Sequence, residues 1–410
     1  MSSTSDGPIA QSSDTAAPGA ARVHWSLQVL AIFLAGRLVS TLILVRAAAG
    51  QGVSPWAEPA PGYGTFITFW DSGWYERIFR EGYPSVLPVD QFGTVVHNQW
   101  AFYPLFPGVV RVLDIVTGLG WGILAPAVSV AAAAAASLIV YRLFLLYAAH
   151  RAALAGVAVV SFAPVAAILQ IPYAESLHLL LLAAALYLLA CGRYYAVMPV
   201  VVLMCFSRPA GVPFAVAVGI LFLRSVWIAR RGATEGERSG ARDGVFPLFL
   251  LGLVAAAAAV TWPLIAWVAT GRRDAYVATE TAWRGEPLAP FLPWFDAPSA
   301  VLGPVAGGLL VVALVLGAVA LFFTHPVRRL GPVLTAWCAG YLLYLAAFWD
   351  PQSSTWRILV PLFPLALAVA TPRGGRALWI VVPISVVLQV LWVDRLWVWT
   401  PSGPDGDYPP

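Results

Sequence analysis

The 410-residue chain contains no lysine, so the 24 residues counted as lysine or arginine are all arginine. Charge of either sign is scarce, at 11% of residues against 60% hydrophobic, and mean hydropathy is +0.78. Soluble domains carry about 25% charged residues, so the shortage excludes an ordinary soluble fold and leaves a polytopic membrane protein. Lysine-free, alanine-, glycine- and proline-rich composition is the bias expected of high-GC bacterial coding. Cysteine is nearly absent as well. Cys191, Cys205 and Cys338 lie in or beside apolar runs without metal-ligand spacing, and are expected as buried thiols. The five histidines are far apart and form no metal motif. No glycine-rich phosphate loop, serine nucleophile elbow or zinc signature occurs, which argues against nucleotide hydrolysis. No cofactor or metal is expected. A net charge of +4 spread over scattered arginines gives no footprint for nucleic acid and is of the kind that sets membrane topology.

What the chain has in abundance is long apolar runs. A span needs about 20 mostly apolar residues, and eleven candidates begin near residues 25, 123, 152, 174, 194, 210, 246, 301, 331, 357 and 376. The run from Trp25 to Val45 is longer than a signal-peptide core and is expected as an uncleaved first span. Trp100 to Gly118 is apolar too, but carries Arg111, Asp114 and turn-forming residues, and is expected to lie along the surface. The organisation that follows is all-α. Residues 1–21 form a disordered cytoplasmic tail, 22–397 a single transmembrane domain of about eleven helices, and 398–410 an outer tail. Within the domain, 47–122 is a first outer loop with interfacial helices, 228–245 a cytoplasmic linker and 271–299 a further outer loop, whose Asp274, Glu280, Glu286 and Asp296 could hold acceptor contacts. This threading puts Arg142, Arg151, Arg193, Arg230, Arg231, Arg238, Arg242, Arg328, Arg329, Arg373 and Arg376 on the cytoplasmic side, the side that should hold the arginine excess.

The same threading collects five unusual segments on the outer face: 47–99, Pro172 to Glu175, Ser207 to Gly211, 271–299 and Trp349 to Arg357. The first contains Phe69-Trp70-Asp71-Ser72-Gly73-Trp74-Tyr75-Glu76-Arg77. From Trp70 to Glu81 it can form an interfacial helix with Trp70, Trp74 and Ile78 on a stripe towards lipid and Glu76-Arg80 and Arg77-Glu81 as i,i+4 pairs. Asp71 at its N-terminal end is placed either to serve as a base or merely to cap the helix. Prolines at 104 and 107 hold the aromatic residues of Phe102-Tyr103-Pro104-Leu105-Phe106-Pro107 on an irregular turn. Glu175 opens a span, where an acid is costly unless it lines a wet cavity or sits in the first turn. Arg208, in Ser207-Arg208-Pro209, and Arg357, after Trp349-Asp350-Pro351, are guanidinium groups suited to a phosphate by their planar fork. Snorkelling to lipid phosphates is the plainer role for either.

In order, Trp70-Asp71-Ser72-Gly73-Trp74-Tyr75, Gly82-Tyr83-Pro84, Phe102 to Pro107 with Arg111, Tyr173-Ala174-Glu175-Ser176-Leu177, Ser207-Arg208-Pro209-Ala210-Gly211, and Ser354-Thr355-Trp356-Arg357 before Pro361-Leu362-Phe363-Pro364 resemble the PIG-V family of mannosyltransferases. The resemblance runs from about Phe69 to Pro364. It implies a GT-C glycosyltransferase fold with an essential acid in the first outer loop and a polyprenyl-phosphate sugar, usually mannose, as donor. The acceptor does not carry over, and a lipid, a glycan or a protein all stand open. Pro-Ala-Gly after Arg208 departs from many relatives.

The expectation is therefore an inverting transferase in the cytoplasmic (inner) membrane with its site on the extracytoplasmic face. Asp71 is the base. Arg208 and Arg357 offset charge on the departing phosphate, Trp70, Trp74, Tyr75 and Tyr103 stack on sugar or prenyl faces, and Glu175 orients the acceptor or a cation. Two other readings compete: a lipid-linked sugar flippase or other transporter, for which Arg37 in mid-span is the main sign, and an inactive accessory subunit.

Overall fold

With no water in the hydrocarbon layer, an apolar chain must close its backbone hydrogen bonds within each segment, which selects helices. The computed structural model describes residues 23–232, 234–285, 288–371 and 376–401, and among them every extended regular element is helical. The helices are α1 (Trp25–Ala49), α2 (Tyr63–Phe66), α3 (Ser72–Glu81), α4 (Leu105–Thr117), α5 (Trp121–Phe144), α6 (His150–Ser161), α7 (Glu175–Ala190), α8 (Tyr194–Cys205) and α9 (Gly211–Arg231). They continue as α10 (Glu235–Thr270), α11 (Ala275–Arg284), α12 (Pro293–Leu302), α13 (Pro304–Phe323), α14 (His325–Arg328), α15 (Gly331–Phe348), α16 (Thr355–Ile358), α17 (Leu365–Ala370) and α18 (Leu378–Trp392).

Seven helical stretches are long and apolar enough to cross a membrane: α1, α5, α9, α10, α13, α15 and the run Leu378–Trp397 that α18 begins. The protein is an all-α, multi-pass membrane protein. The other expected spans fall on shorter apolar helices, α6, α7 and α8, or, for the run from residue 357, on a broken path. There Pro361 and Pro364 remove backbone donors, and α16, a 3₁₀ turn at Val360–Leu362 and the six-residue α17 replace one helix. α4 has 13 residues, about 20 Å of helix, too short to cross. It lies beside α3, since Arg111 in its middle donates to Phe79 O at 2.8 Å and Trp121, at the start of α5, packs on both Phe79 and Phe106. The expected 228–245 linker is mostly the end of α9 and the first turns of α10, started by a capping box of Thr234 and Glu237. The 1–21 tail and nearly all of the 398–410 tail lie outside the described residues. Cys205 and Cys338 are buried as expected, whereas Cys191 is exposed because it stands at the C-terminal cap of α7, in the turn before Arg193.

Between α6 and α7 the chain leaves regular α-helix for residues 162–174, where carbonyls lose their helical donors. Arg37, buried in α1, supplies them: it donates to Ala166 O and, at 2.9 Å, to Ser161 O. Gln389 of α18 donates to Ala163 O at 3.1 Å and meets Ser40 of α1 at 3.1 Å. Gly36 makes the approach possible, since a Cβ there would stand 2.5 Å from Ser161 O. The mid-span arginine is thus a fixed internal clamp. Beyond the break the chain emerges at Tyr173 and Glu175, beside the loop that carries Asp71.

Helix order carries the chain back and forth between two ends. One end holds α3, Tyr173, Arg208 and α16. The other receives Arg142, Arg151, Arg193, Arg230, Arg231, Arg238, Arg242, Arg328, Arg329 and Arg376, while Arg373 lies outside the described residues. Arg46, Arg77, Arg80, Arg111, Arg208, Arg272, Arg273, Arg284, Arg357 and Arg395 lie at the Asp71 end, so the two ends do not differ in their number of arginines.

Candidate active site

Asp71 sits immediately before α3, as its N-terminal cap residue, yet its side chain caps nothing. The carboxylate turns instead to Arg357, whose Nη2 is 2.5 Å from Asp71 Oδ2. Arg357 Nη1 lies 3.4 Å from Glu175 Oε1, and the same oxygen is 2.5 Å from Arg208 Nη1. Four side chains from four distant segments thereby form one line, Asp71, Arg357, Glu175, Arg208, with two positive and two negative charges. The carboxylate side chains are 6% and 3% exposed, Arg357 10% and Arg208 22%. Withdrawn this far from water, each charge depends on its neighbours, and removal of one partner leaves another uncompensated.

Each member is positioned by a local device. Trp70 has φ of 60°, a left-handed conformation that a bulky residue adopts only when its surroundings impose it. Its indole donates to Trp397 O at 2.8 Å and its ring packs on Trp56, while the next amide, Asp71 N, donates to the Tyr173 hydroxyl at 2.9 Å. That hydroxyl donates to Phe69 O at 3.2 Å, and the Tyr173 ring lies under the Arg357 guanidinium at 5.4 Å. Arg357 is held by α16, which Trp349 and the Gln352 amide grip through Thr355 Oγ1, both at 3.0 Å, and by Tyr341 donating to Ile358 O at 2.7 Å. Arg208 occupies the turn after α8, where Leu105 N donates to Phe206 O at 2.9 Å and Ser207 Oγ meets His178 Nδ1 at 3.0 Å.

A cavity of about 10 Å³ borders Glu175, His178, Arg208, Tyr341, Arg357 and Pro361. That volume suits about one water molecule. Glu175 Oε2 and Arg357 Nε, both buried and without a protein partner, belong to residues that line it. The ion pairs thus fill the space at which the functional groups meet.

The aromatic residues expected as stacking platforms divide. Trp70 and Trp74 do not face lipid: Trp70 is tied to Trp397, and Trp74 packs 6.0 Å from Phe102 and 5.4 Å from Trp283. Trp283 of α11 covers one side of Trp74, a contact invisible to helical spacing alone. Tyr75 is buried against Phe102, Phe106 and Tyr173, and Tyr103 is buried with its hydroxyl 3.1 Å from that of Tyr276. Burial pushes the hydroxyls of Tyr75, Tyr103 and Tyr276 above the usual phenol range. Neither expected ion pair on α3 was misplaced, with Arg77 and Glu81 at 3.0 Å and Arg80 and Glu76 at 2.6 Å.

Two residues at the site, His178 and Tyr276, were not singled out by sequence, whereas Glu280 is one of the four acids expected in the 271–299 loop. His178 follows Glu175 by one helical turn, so i,i+3 spacing was the available signal. Tyr276 and Glu280 come from α11 in the 271–299 loop. Burial raises the Glu280 carboxyl above its ordinary value, opposed by the charges of Arg284 and Arg208 and by a hydrogen bond from Tyr276. Of the other acids noted there, Asp274 pairs with Arg272 at 2.7 Å, Asp296 is exposed on α12, and Glu286 lies outside the described residues.

No family model matches the chain, and no curated protein does. Among solved structures it is similar to ArnT from Cupriavidus metallidurans bound to undecaprenyl phosphate, with 13% identity and a TM-score of 0.46 over 89% of this chain and 60% of that one. It is also similar to the oligosaccharyltransferase AglB from Archaeoglobus fulgidus in complex with an inhibitory peptide and a dolichol-phosphate, with 14% identity and a TM-score of 0.44 over 93% of this chain and 57% of that one. The chain spans less than two thirds of the length of either.

Proposed function

We propose that this protein is an integral-membrane glycosyltransferase of the GT-C type, which moves a sugar, mannose by the motif resemblance, from a polyprenyl-phosphate donor to an acceptor on the extracytoplasmic face of the inner membrane. The observation that carries the reading is the line Asp71, Arg357, Glu175, Arg208, which sets a candidate base beside two phosphate-suited guanidinium groups in a site withdrawn from water.

In the reaction, the acceptor hydroxyl oxygen forms a bond to the anomeric carbon, its proton passes to Asp71, and the bond from that carbon to the phosphate oxygen breaks with its electron pair leaving on the phosphate. A single displacement of this kind inverts the anomeric centre. The resting pairs give the donor a defined route in: its phosphate takes the guanidinium of Arg357, and the Asp71 carboxylate, released from that pair, is free to accept a proton. Arg208 and Arg357 then face the growing negative charge in low dielectric, where each contact counts for more than in water. Glu175 stays between them and keeps the two cations from repelling each other apart. The alternative reading as a lipid-linked sugar flippase drew on a free intramembrane charge, and the engagement of Arg37 with backbone carbonyls weighs against it.

The test is incubation of membranes containing the protein with radiolabelled polyprenyl-phosphate-mannose, followed by isolation of labelled lipid, glycan and protein. A covalent product that depends on Asp71 supports the transferase. Label that crosses a reconstituted bilayer without forming product supports the flippase instead.

A further inference from the structure

At the end of the bundle away from Asp71, α1, α6 and α18 leave a groove of about 440 Å³ between them. Ile32, Leu154, Ala158 and Trp379 give it apolar walls, and Arg151 and Arg376 also line it. The volume falls within the range of small-ligand sites. No acidic side chain lines the groove, and among the described residues neither arginine makes an ion pair. Trp379 is 85% exposed, so its ring offers a face that the protein itself does not cover.

The depth of the groove follows from its neighbours. Trp25 stacks on Tyr141 at 5.1 Å, Arg142 lies over Trp25 at 5.5 Å, and the Tyr141 hydroxyl meets His150 Nδ1 at 2.7 Å. Rings and arginines layered in this way mark the headgroup level of a bilayer. Arg151 follows His150 directly and belongs to that layer, whereas Ile32 and Ala158 lie about two helical turns further along α1 and α6, towards the hydrocarbon. The groove is therefore cationic at headgroup depth and apolar below it.

We infer that this groove binds an anionic phospholipid, with the phosphate between Arg151 and Arg376 and the start of an acyl chain along Ile32, Leu154, Ala158 and Trp379. Basic sites between transmembrane helices recognise acidic lipid headgroups in this manner, and paired guanidinium groups suit phosphate oxygens through their planar forks. A soluble phosphate would use the arginines but leave the apolar wall and the Trp379 ring without a role. The site is separate from the proposed transfer chemistry and holds whether or not that reading stands.

Native mass spectrometry of the full-length protein in detergent tests it, by titration with phosphatidylglycerol and with phosphatidylcholine of the same acyl chains. The expected result is a phosphatidylglycerol adduct favoured by roughly tenfold or more, given two arginines near an acidic headgroup. Arg151→Gln with Arg376→Gln abolishes the preference, and Arg193→Gln, at the same end but outside the groove, keeps it. Both groove arginines are exposed, so the double variant should melt with the parent, and its melting temperature is recorded alongside. Equal binding of the two lipids, equal loss in the Arg193 variant, or displacement of the lipid by millimolar inorganic phosphate overturns the inference.

Discussion

Arg357 meets Asp71 at 2.5 Å and so ties the first outer loop to a turn formed late in the chain. The contact gives Asp71 a partner other than the helix it precedes, whose first turn its side chain does not cap. In the proposed transfer, whatever occupies Arg357 decides when the carboxylate is free.

Asp71→Asn should lower turnover with a polyprenyl-phosphate sugar by roughly 10²–10⁴, the range that general acid–base groups contribute. The backbone bond from residue 71 to Tyr173 survives the change, but Arg357 keeps only Glu175 as a charged partner, so the variant should melt below the parent and turnover is compared per folded protein. Turnover within a factor of about three of the parent would remove Asp71 as the base.

Arg357→Gln should destabilise by about 3–5 kcal/mol, because it takes the arginine from the buried Asp71 carboxylate and leaves Glu175 with Arg208 alone. Combining it with Glu175→Gln should cost less than the two single changes added together, since the pair is in contact and coupled residues are not additive. Thermal melts of the three variants measure this, and strict additivity would mean that the charges act independently. Arg357→Lys is expected to recover part of the stability but little of the activity, having charge without the planar fork.

Gly36→Ala should destabilise by about 1–3 kcal/mol through overpacking, because the new Cβ would lie 2.5 Å from Ser161 O. Gly317→Ala in α13 meets nothing within 4 Å and serves as the control. If both variants melt alike, the clamp between α1 and the break after α6 is not as tight as the packing requires.

Burial raises the folded-state Glu280 carboxyl above its ordinary value of 4.5, so between the two values the folded chain keeps a proton that the unfolded chain has released. Its contribution is present in full below about 4.5 and is lost as pH rises through the raised value. Glu280→Gln stays neutral throughout and should remove that part of the decline. Melting temperature against pH for parent and variant is the measurement, and parallel curves would show that Glu280 is not held neutral.

The apolar runs settled the helical class and the positions of the main spans, because twenty apolar residues in lipid have few other options for their backbone groups. Trp70, Asp71, Glu175, Arg208 and Arg357 were conspicuous for the same reason: charge and punctuation are rare in such a chain and stand out. What pattern could not give was the direction in which the outer rings turn. Trp74 reads as lipid-facing until Trp283 arrives from α11 to cover it.

Sequence by itself thus determined which segments must be helices and which few residues carry charge, since both depend on composition within a window. Tertiary structure alone decided that Asp71 pairs with Arg357, that Arg37 clamps a broken stretch of backbone, and that α11 brings Tyr276 and Glu280 to the site. Those outcomes depend on contacts between segments far apart in the chain, and the periodicity of any one segment is the same whichever partner it meets.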